Sequence, residues 1–304
     1  MKALETQYLI ADLCAALEVS RSGYHAWKVR PPSARAGTDA ELGRQLCQAH
    51  TDSRKTYGSP RLLQALQKKG LRTSRRRVCR LMRQHELRGT APRAFRPQTT
   101  DSRHDQPIAP NLMATAPAPT GPDQIWVSDI TYVRTDAGWL YVAAVLDRWS
   151  RRRVGLAMAE HMETSLVEAA LTQAVRGRRP AAGCLHHSDR GSQYASADYR
   201  ARLAQAGLVA SMSRAGNCYD NAAMESFWGK LKTELVHRRA FASLAEARTA
   251  IFEHVEVFYN RRRLHSALGF KSPVDFENQT NEKTRAAAPH LSTKSSQAHH
   301  RSAQ

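Results

Sequence analysis

Three β-rich runs in close succession, IWVSDITYV (125–133), WLYVAAVLD (139–147) and RRVGLAMAE (152–160), constrain this chain more than any other feature. Turn signals separate them, so an antiparallel meander is expected. TSLVEAALTQAVRG then reads as a helix, CLHHSD as a short strand, SADYRARLAQAG as a helix and LVASMS as a strand. The order βββαβαβα, with long helices following, describes an α/β mixed sheet flanked by helices.

The rest of the chain divides around that core. With 304 residues there is room for two or three domains. A hydrophobic content of 41% supplies a core, and a mean hydropathy of −0.56 fits a water-exposed protein. No apolar run approaches the ~20 residues of a membrane span. Asp12 and Glu18 interrupt the apolar stretch at the start, which argues against a secretory signal and makes the cytoplasm the expectation. Five cysteines, odd in number and never in a C-x-x-C pair, point away from a disulfide framework and a structural zinc site. His186 and His187 adjoin Cys184, but strand alternation points the two histidines apart. That cluster reads as structural.

Charge is concentrated. Of the net +19, residues 54–96 contribute +13, from fourteen Lys and Arg against one acidic residue. Such a block repels itself unless a polyanion lies against it, and nucleic acid is the obvious one. Its pattern is helical rather than tail-like. Leu62, Leu63 and Leu66 make one stripe, Gly70 stops the helix and Ser74 caps the next. There Val78, Leu81 and Met82 face inward while Arg75, Arg76, Arg77, Arg80 and Arg83 crowd the remaining surface. A helix, a tight turn and an arginine-studded second helix suit docking in a DNA major groove, with base specificity left open. Upstream, residues 7–30 read as two short helices, the second capped by Ser20. The expected domains are therefore a helical segment (1–36), a basic helix-turn-helix-like domain (37–95), a Pro-rich linker (96–122), the mixed-sheet core with its C-terminal helices (123–279) and a disordered polar tail (280–304).

Within the core, Asp129 stands mid-strand among Trp126, Val127 and Ile130. That placement is costly unless the carboxylate is paired, bound to a metal, or on an edge facing water. Asp189 ends CLHHSD, just before a glycine turn, and the bland reading is a turn aspartate bonding its own backbone. Glu225 shares a helix face with Trp228, Gly229 and Lys232, while Met224, Phe227 and Leu231 form the buried stripe and Asn221 is a candidate cap. A Glu–Lys helix pairing alone is ordinary surface. Thirty-five residues separate Asp189 from Glu225. Asp147 reads as a salt-bridging residue among Arg148, Arg151, Arg152 and Arg153, Asp220 as a turn or capping residue, and Trp126, Trp139 and Trp228 as core or wall residues, Trp228 being the one to test for DNA contact.

Taken together, WVSDITYV, GWLYVAAVLDRWSRRRVG, HSDRGSQY, GNCYDNAAMESFWGKLKTE and YNRRRLHSALGFKSP resemble the second-frame transposases of bacterial insertion sequences. That family shares a D,D-35-E catalytic core with retroviral integrases. The resemblance runs from about residue 8 to 277 and implies a ribonuclease-H-like core. It implies Asp129, Asp189 and Glu225 as the catalytic and metal-binding triad. Lys232 matches a basic residue implied to contact DNA ends. Tyr259, Asn260, Arg263, His265, Leu268, Gly269 and Pro273 match the Y-N-x-x-R-x-H-x-x-L-G-x-x-x-P signature, of which Arg263 and His265 are expected at DNA.

The implied activity is DNA transposition: metal-dependent cleavage and strand transfer at the ends of a mobile element. Two magnesium ions are expected, with manganese as a substitute, because hard cations take oxygen ligands. The implied partners are double-stranded DNA, further copies of this chain and an upstream-frame helix-turn-helix protein joined by frameshifting, at the nucleoid and with no membrane. The rivals are a catalytically inactive DNA-binding regulator and a plain structure-selective nuclease.

Overall fold

The computed structural model describes residues 1–31, 33–91, 105–214 and 221–287. The chain divides into two compact units, Met1–Gly89 and Thr90–Gln304.

The first unit is all helical: α1 (Ile10–Ala16), α2 (Arg21–Val29), α3 (Ala34–Asp52), α4 (Ser59–Lys68) and α5 (Arg75–Gln84). Three serines start three of them. Ser20, Ser33 and Ser74 accept from the amides of Gly23 (3.0 Å), Ala36 (3.2 Å) and Arg77 (3.2 Å), satisfying donors that a helix start leaves unpaired. α3, α4 and α5 pack on one another and bury Leu46, Leu62, Leu66, Val78 and Leu81. Gly70, at φ +78°, makes the turn between α4 and α5 in a conformation other residues adopt at a cost. The expected helix–turn–helix is present.

The second unit holds a five-stranded sheet: β1 (Ile125–Thr135), β2 (Gly138–Asp147), β3 (Arg153–Ala159), β4 (Leu185–Ser188) and β5 (Val209–Met212). Its order is β3-β2-β1-β4-β5. β2 pairs antiparallel with both β1 and β3, whereas β4 lies parallel to β1 and β5 parallel to β4. This is a ribonuclease-H-like sheet. The helices are α6 (Thr164–Arg178), α7 (Ser192–Ala195), α8 (Ala197–Gln205), α9 (Ala222–Glu234), α10 (Leu244–Glu253) and α11 (Pro273–Ala287).

Strand alternation splits the core into two layers. Val127, Val133, Leu140 and Val142 join Met224, Phe227, Trp228 and Leu231 of α9 and Ile251 of α10. Trp126, Ala143 and Val145 join Leu166, Val167 and Ala170 of α6, with Tyr194 and Tyr199 of α7 and α8. Gly155 permits the close approach of α6, since a Cβ there would lie 2.2 Å from the Ala170 carbonyl oxygen.

Two boundaries differ from expectation. Part of the proline-rich stretch packs on the sheet: Met113 is buried, and Ser211 Oγ accepts from the amides of Leu112 (3.0 Å) and Met113 (3.3 Å). α11 also continues through Ala287, into residues read as tail, because NEKTRAA is made largely of good helix formers.

Candidate active site

Sheet register brings the first two carboxylates side by side. The parallel β1–β4 pairing ends at Val127↔His187, so Asp129 and Asp189 each lie two residues past the last matched pair. Beyond that point β1 continues alone on this side, and both aspartates are partly buried where the two strands part. The third carboxylate comes from α9. Asn221, just before that helix, makes no side-chain cap. Its Nδ2 instead donates to the Ser128 carbonyl (3.2 Å), tying the helix start to the strand beside Asp129. Two turns on, Trp228 Nε1 donates to Asp129 Oδ2 (3.1 Å). Glu225 lies three residues before Trp228, exposed on the first turn.

Charge follows from this placement. Burial, then the neighbouring charge of Asp189 and more weakly that of Glu225, push the Asp129 carboxyl up to about 8, against hydrogen bonds from the Ile130 amide and Trp228. Asp189 also makes the turn bond its sequence suggested: Oδ1 accepts from the Gly191 amide (3.0 Å). Tyr194, buried in the layer carrying α7, has its phenol raised well above the usual range by burial, by Tyr199, and by Asp129 and Asp189.

Lys232 stands on the Glu225 face of α9, partly buried, with Nζ 5.4 Å from the Tyr132 ring centroid. Desolvation lowers its pKa, and the attraction of Asp129 opposes that. The donor set of the trio is all oxygen, which suits magnesium or manganese, and the repulsion that lifts Asp129 is what a divalent cation relieves. The trio is not a closed cage, however. Among the described residues no group of three or more His, Cys, Asp or Glu is disposed to hold a metal ion.

Other expected residues have different places. Arg263 is buried, its Nε donating to Glu234 Oε2 (2.8 Å) at the end of α9. His265 is buried too, edge-on to Tyr259 with centroids 4.8 Å apart. Tyr259 meets Phe227 of α9 at 4.9 Å, and Asn260 holds the start of β3 through both the amide (3.0 Å) and the carbonyl (3.1 Å) of Arg153. These signature positions brace α9 and β3 from inside the fold.

On α5, Arg75, Arg76 and Arg83 are exposed, whereas Arg77 and Arg80 reach Asp39 of α3 at 2.7 and 2.6 Å. Asp147 is fully buried and accepts from the Ser150 amide (2.7 Å), Ser150 Oγ (2.8 Å) and the Asp123 amide (2.7 Å). It is a turn-closing residue rather than the expected salt bridge. His186 and His187 point to different partners, Ser128 Oγ (2.8 Å) with Tyr199 OH (3.0 Å) for the first and Ser211 Oγ (2.9 Å) for the second. Trp126 is core, Trp228 is wall, and Trp139, expected with them, is 46% exposed. Asp220 lies outside the described residues.

A central strand, the end of its parallel neighbour and a following helix thus each contribute one carboxylate to the same end of a mixed sheet. Residues 119–218 and 225–280 match two family models described as integrase core domain, and residues 38–95 match one described as HTH-like domain. The chain is 47% identical over 267 residues to the insertion element IS600 uncharacterized 31 kDa protein of Shigella sonnei, covering 88% of this chain and 98% of that one. It is 40% identical over 280 residues to transposase InsF for insertion sequence IS3A of Escherichia coli strain K12, covering 90% and 96%. It belongs to this family of insertion-sequence transposases. Among solved structures, a chain of the simian T-cell lymphotropic virus intasome in complex with PP2A regulatory subunit B56 gamma is similar at TM-score 0.44 and 14% identity, covering 85% of this chain and 80% of that one. In the described residues no helix is long and apolar enough to cross a membrane.

Proposed function

We propose that this chain is a polynucleotidyl transferase that cuts and joins DNA at the ends of a mobile element, with Asp129, Asp189 and Glu225 as its catalytic and metal-holding residues. The observation that carries this is the placing of Asp129 and Asp189 side by side at the parting of β1 and β4, with Glu225 of α9 near enough to act on Asp129 and Trp228 fixing one oxygen of the central carboxylate. Two magnesium ions held there would activate the attacking oxygen and stabilise charge on both the attacking and leaving oxygens.

The chain's own groups orient this chemistry. Asp129 is fixed by Trp228 and the Ile130 amide, and Asp189 by its turn bond. Exposed Glu225 has the freedom to complete the trio from the helix side. In the first step a water oxygen attacks a phosphorus at the element's end, and breaking the P–O bond leaves a 3′-hydroxyl. In the second, that hydroxyl oxygen attacks another phosphodiester, displacing its 3′-oxygen. Each step exchanges one P–O bond for another, so neither an energy source nor a covalent enzyme intermediate is required. Lys232 sits beside the trio to meet a terminal phosphate. Arg75, Arg76 and Arg83 supply the DNA contacts of α5, with Arg77 and Arg80 partly committed to Asp39. Arg263 and His265 serve as scaffold.

Exposed apolar side chains on α1 and α2 and their flanks, Leu9 at 72%, Leu17 at 55%, Trp27 at 55% and Val29 at 80%, support an upstream-frame protein partner, and pairing two DNA ends calls for more than one copy of the chain. The test is a strand-transfer assay on labelled element ends with magnesium, run with and without the upstream-frame fusion. Cleavage and joining by wild type, lost in Asp129→Asn, Asp189→Asn and Glu225→Gln, is expected. Equal activity in all four proteins would overturn the assignment.

A further inference from the structure

Past its pairing with β4, the free edge of β1 carries a run of contacts that the acid chemistry does not use. Lys232 reaches from α9 to the Tyr132 ring at 5.4 Å. Tyr132 meets Trp139 edge-on, ring centroids 5.1 Å apart. Arg134 Cζ lies 5.8 Å from the Trp139 centroid. The β1–β2 register sets Arg134 opposite Trp139 and Tyr132 opposite Tyr141. Alternation places Tyr132 and Arg134 on the sheet face opposite to that of Asp129. Lys232 is the link between them, close enough to Asp129 to feel its charge and in contact with Tyr132 on the other side.

Trp139 is the outlier of this group, a large apolar ring 46% exposed at the start of β2. An exposed indole edged by an aromatic neighbour and two cations offers stacking area and phosphate pairing together, and nucleotides carry both counterparts. A bare apolar partner would leave Arg134 and Lys232 without a role. Fully paired DNA hides its ring faces, whereas an unpaired nucleotide presents one.

The geometry points to Trp139, Tyr132 and Arg134, reached from the acidic site through Lys232, as a stacking site for an unpaired nucleobase of the strand being processed. This rests on the reading of the trio as a DNA-processing site and extends it to substrate form: element ends that carry unpaired nucleotides.

The full-length chain is mixed in EDTA with a forked DNA duplex carrying 2-aminopurine in its unpaired 3′ arm, and separately with the same duplex fully paired. The wild type is expected to prefer the fork and to quench the 2-aminopurine. Trp139→Ala is expected to lose the quench and roughly tenfold of the fork affinity while binding paired DNA as before. Trp139→Phe is expected to keep most of both. Trp139 is exposed, and circular dichroism checks that Trp139→Ala remains folded. Wild-type fork preference and quench in Trp139→Ala would overturn the proposal, as would a wild type that shows neither. No cleavage is needed for this readout, so failure of strand transfer in the activity assay and failure of stacking here are separate results.

Discussion

Two aspartates in this chain meet opposite electrostatic fates. Asp39 of α3 lies between Arg77 and Arg80, and hydrogen bonds from both hold its carboxyl below the usual range. Asp129 of β1 is lifted to about 8 by burial first and then by the charges of Asp189 and Glu225, against the hydrogen bonds it accepts from Ile130 and Trp228. The first has its counter-charges in place and acts as a clamp between helices. The second keeps like charges together in a partly dry site, an arrangement that makes sense where a cation completes it. The same side chain therefore serves stability in one unit and, on the proposed reading, chemistry in the other.

The largest effect expected from breaking this contrast falls on activity. Asp129→Asn should lower DNA cleavage at least roughly 10³-fold, the loss of several kcal/mol of charge stabilisation. The same change should stabilise the protein in EDTA. With a folded-state pKa near 8 against an unfolded value of about 3.9, the folded Asp129 holds a proton the unfolded chain has released. Its contribution to stability is therefore lost as pH rises from about 4 to about 8. Melting midpoints in EDTA should fall over that window in wild type and less so in Asp129→Asn, and magnesium should recover the loss only in wild type. Parallel pH curves for the two proteins would show that the repulsion is absent.

The buried Arg263–Glu234 pair sharpens the contrast from another side, because it too is a charge in the core but a compensated one. Arg263→Met takes from the buried Glu234 its guanidinium partner, a change that typically costs ~3–5 kcal/mol. Thermal unfolding of the chain should register that loss. A second change, Glu234→Leu, should recover much of it. If Arg263 instead contacted DNA, Arg263→Met would weaken DNA binding with an unaltered melting point.

What was legible in the sequence divides along the same line. The meander and the alternating helices and strands after it can be read because period-2 and period-3.6 patterns and local caps are written in neighbouring residues, whereas the trio of Asp129, Asp189 and Glu225 is legible only through the family resemblance. Which arginines on α5 remain exposed cannot be read this way. All five look alike until Asp39, 38 positions before Arg77, folds against two of them. Asn221 likewise read as a local cap, but its bond runs to Ser128, 93 positions away. The burial of Arg263 is hidden because its partner lies on α9, 29 positions away, and Trp139 reads as core or wall because an isolated tryptophan gives no sign of its face.

A smaller effect is expected from Trp228→Phe. Phenylalanine keeps most of the packing in the layer beneath α9 but cannot donate to Asp129 Oδ2. That hydrogen bond lowers the Asp129 pKa, so its removal should raise the pKa further and shift the acid limb of the pH–rate profile upward. Losing one donor to a charged group corresponds to about tenfold in cleavage. An unchanged profile with reduced melting temperature would reduce Trp228 to packing alone.

The smallest effect belongs to Asp39, and its sign is what makes it informative. A carboxyl held below its unfolded pKa adds stability that is present above that value and lost as pH falls through the folded one. Asp39→Asn should therefore lower the melting midpoint by a constant amount between pH 4 and 8, leaving the slope that Asp129 sets there unaltered, and converge with wild type as pH falls through the folded Asp39 pKa. The substitution also removes a negative charge beside α5 and frees Arg77 and Arg80 for phosphate. Each further phosphate contact steepens the fall of log affinity with log salt by about 0.9 for duplex DNA. Asp39→Asn should thus bind DNA more tightly at low salt and with a steeper salt slope than wild type. A slope unaltered by the substitution would mean that Arg77 and Arg80 belong to the clamp alone, with Arg75, Arg76 and Arg83 carrying the DNA contact of α5.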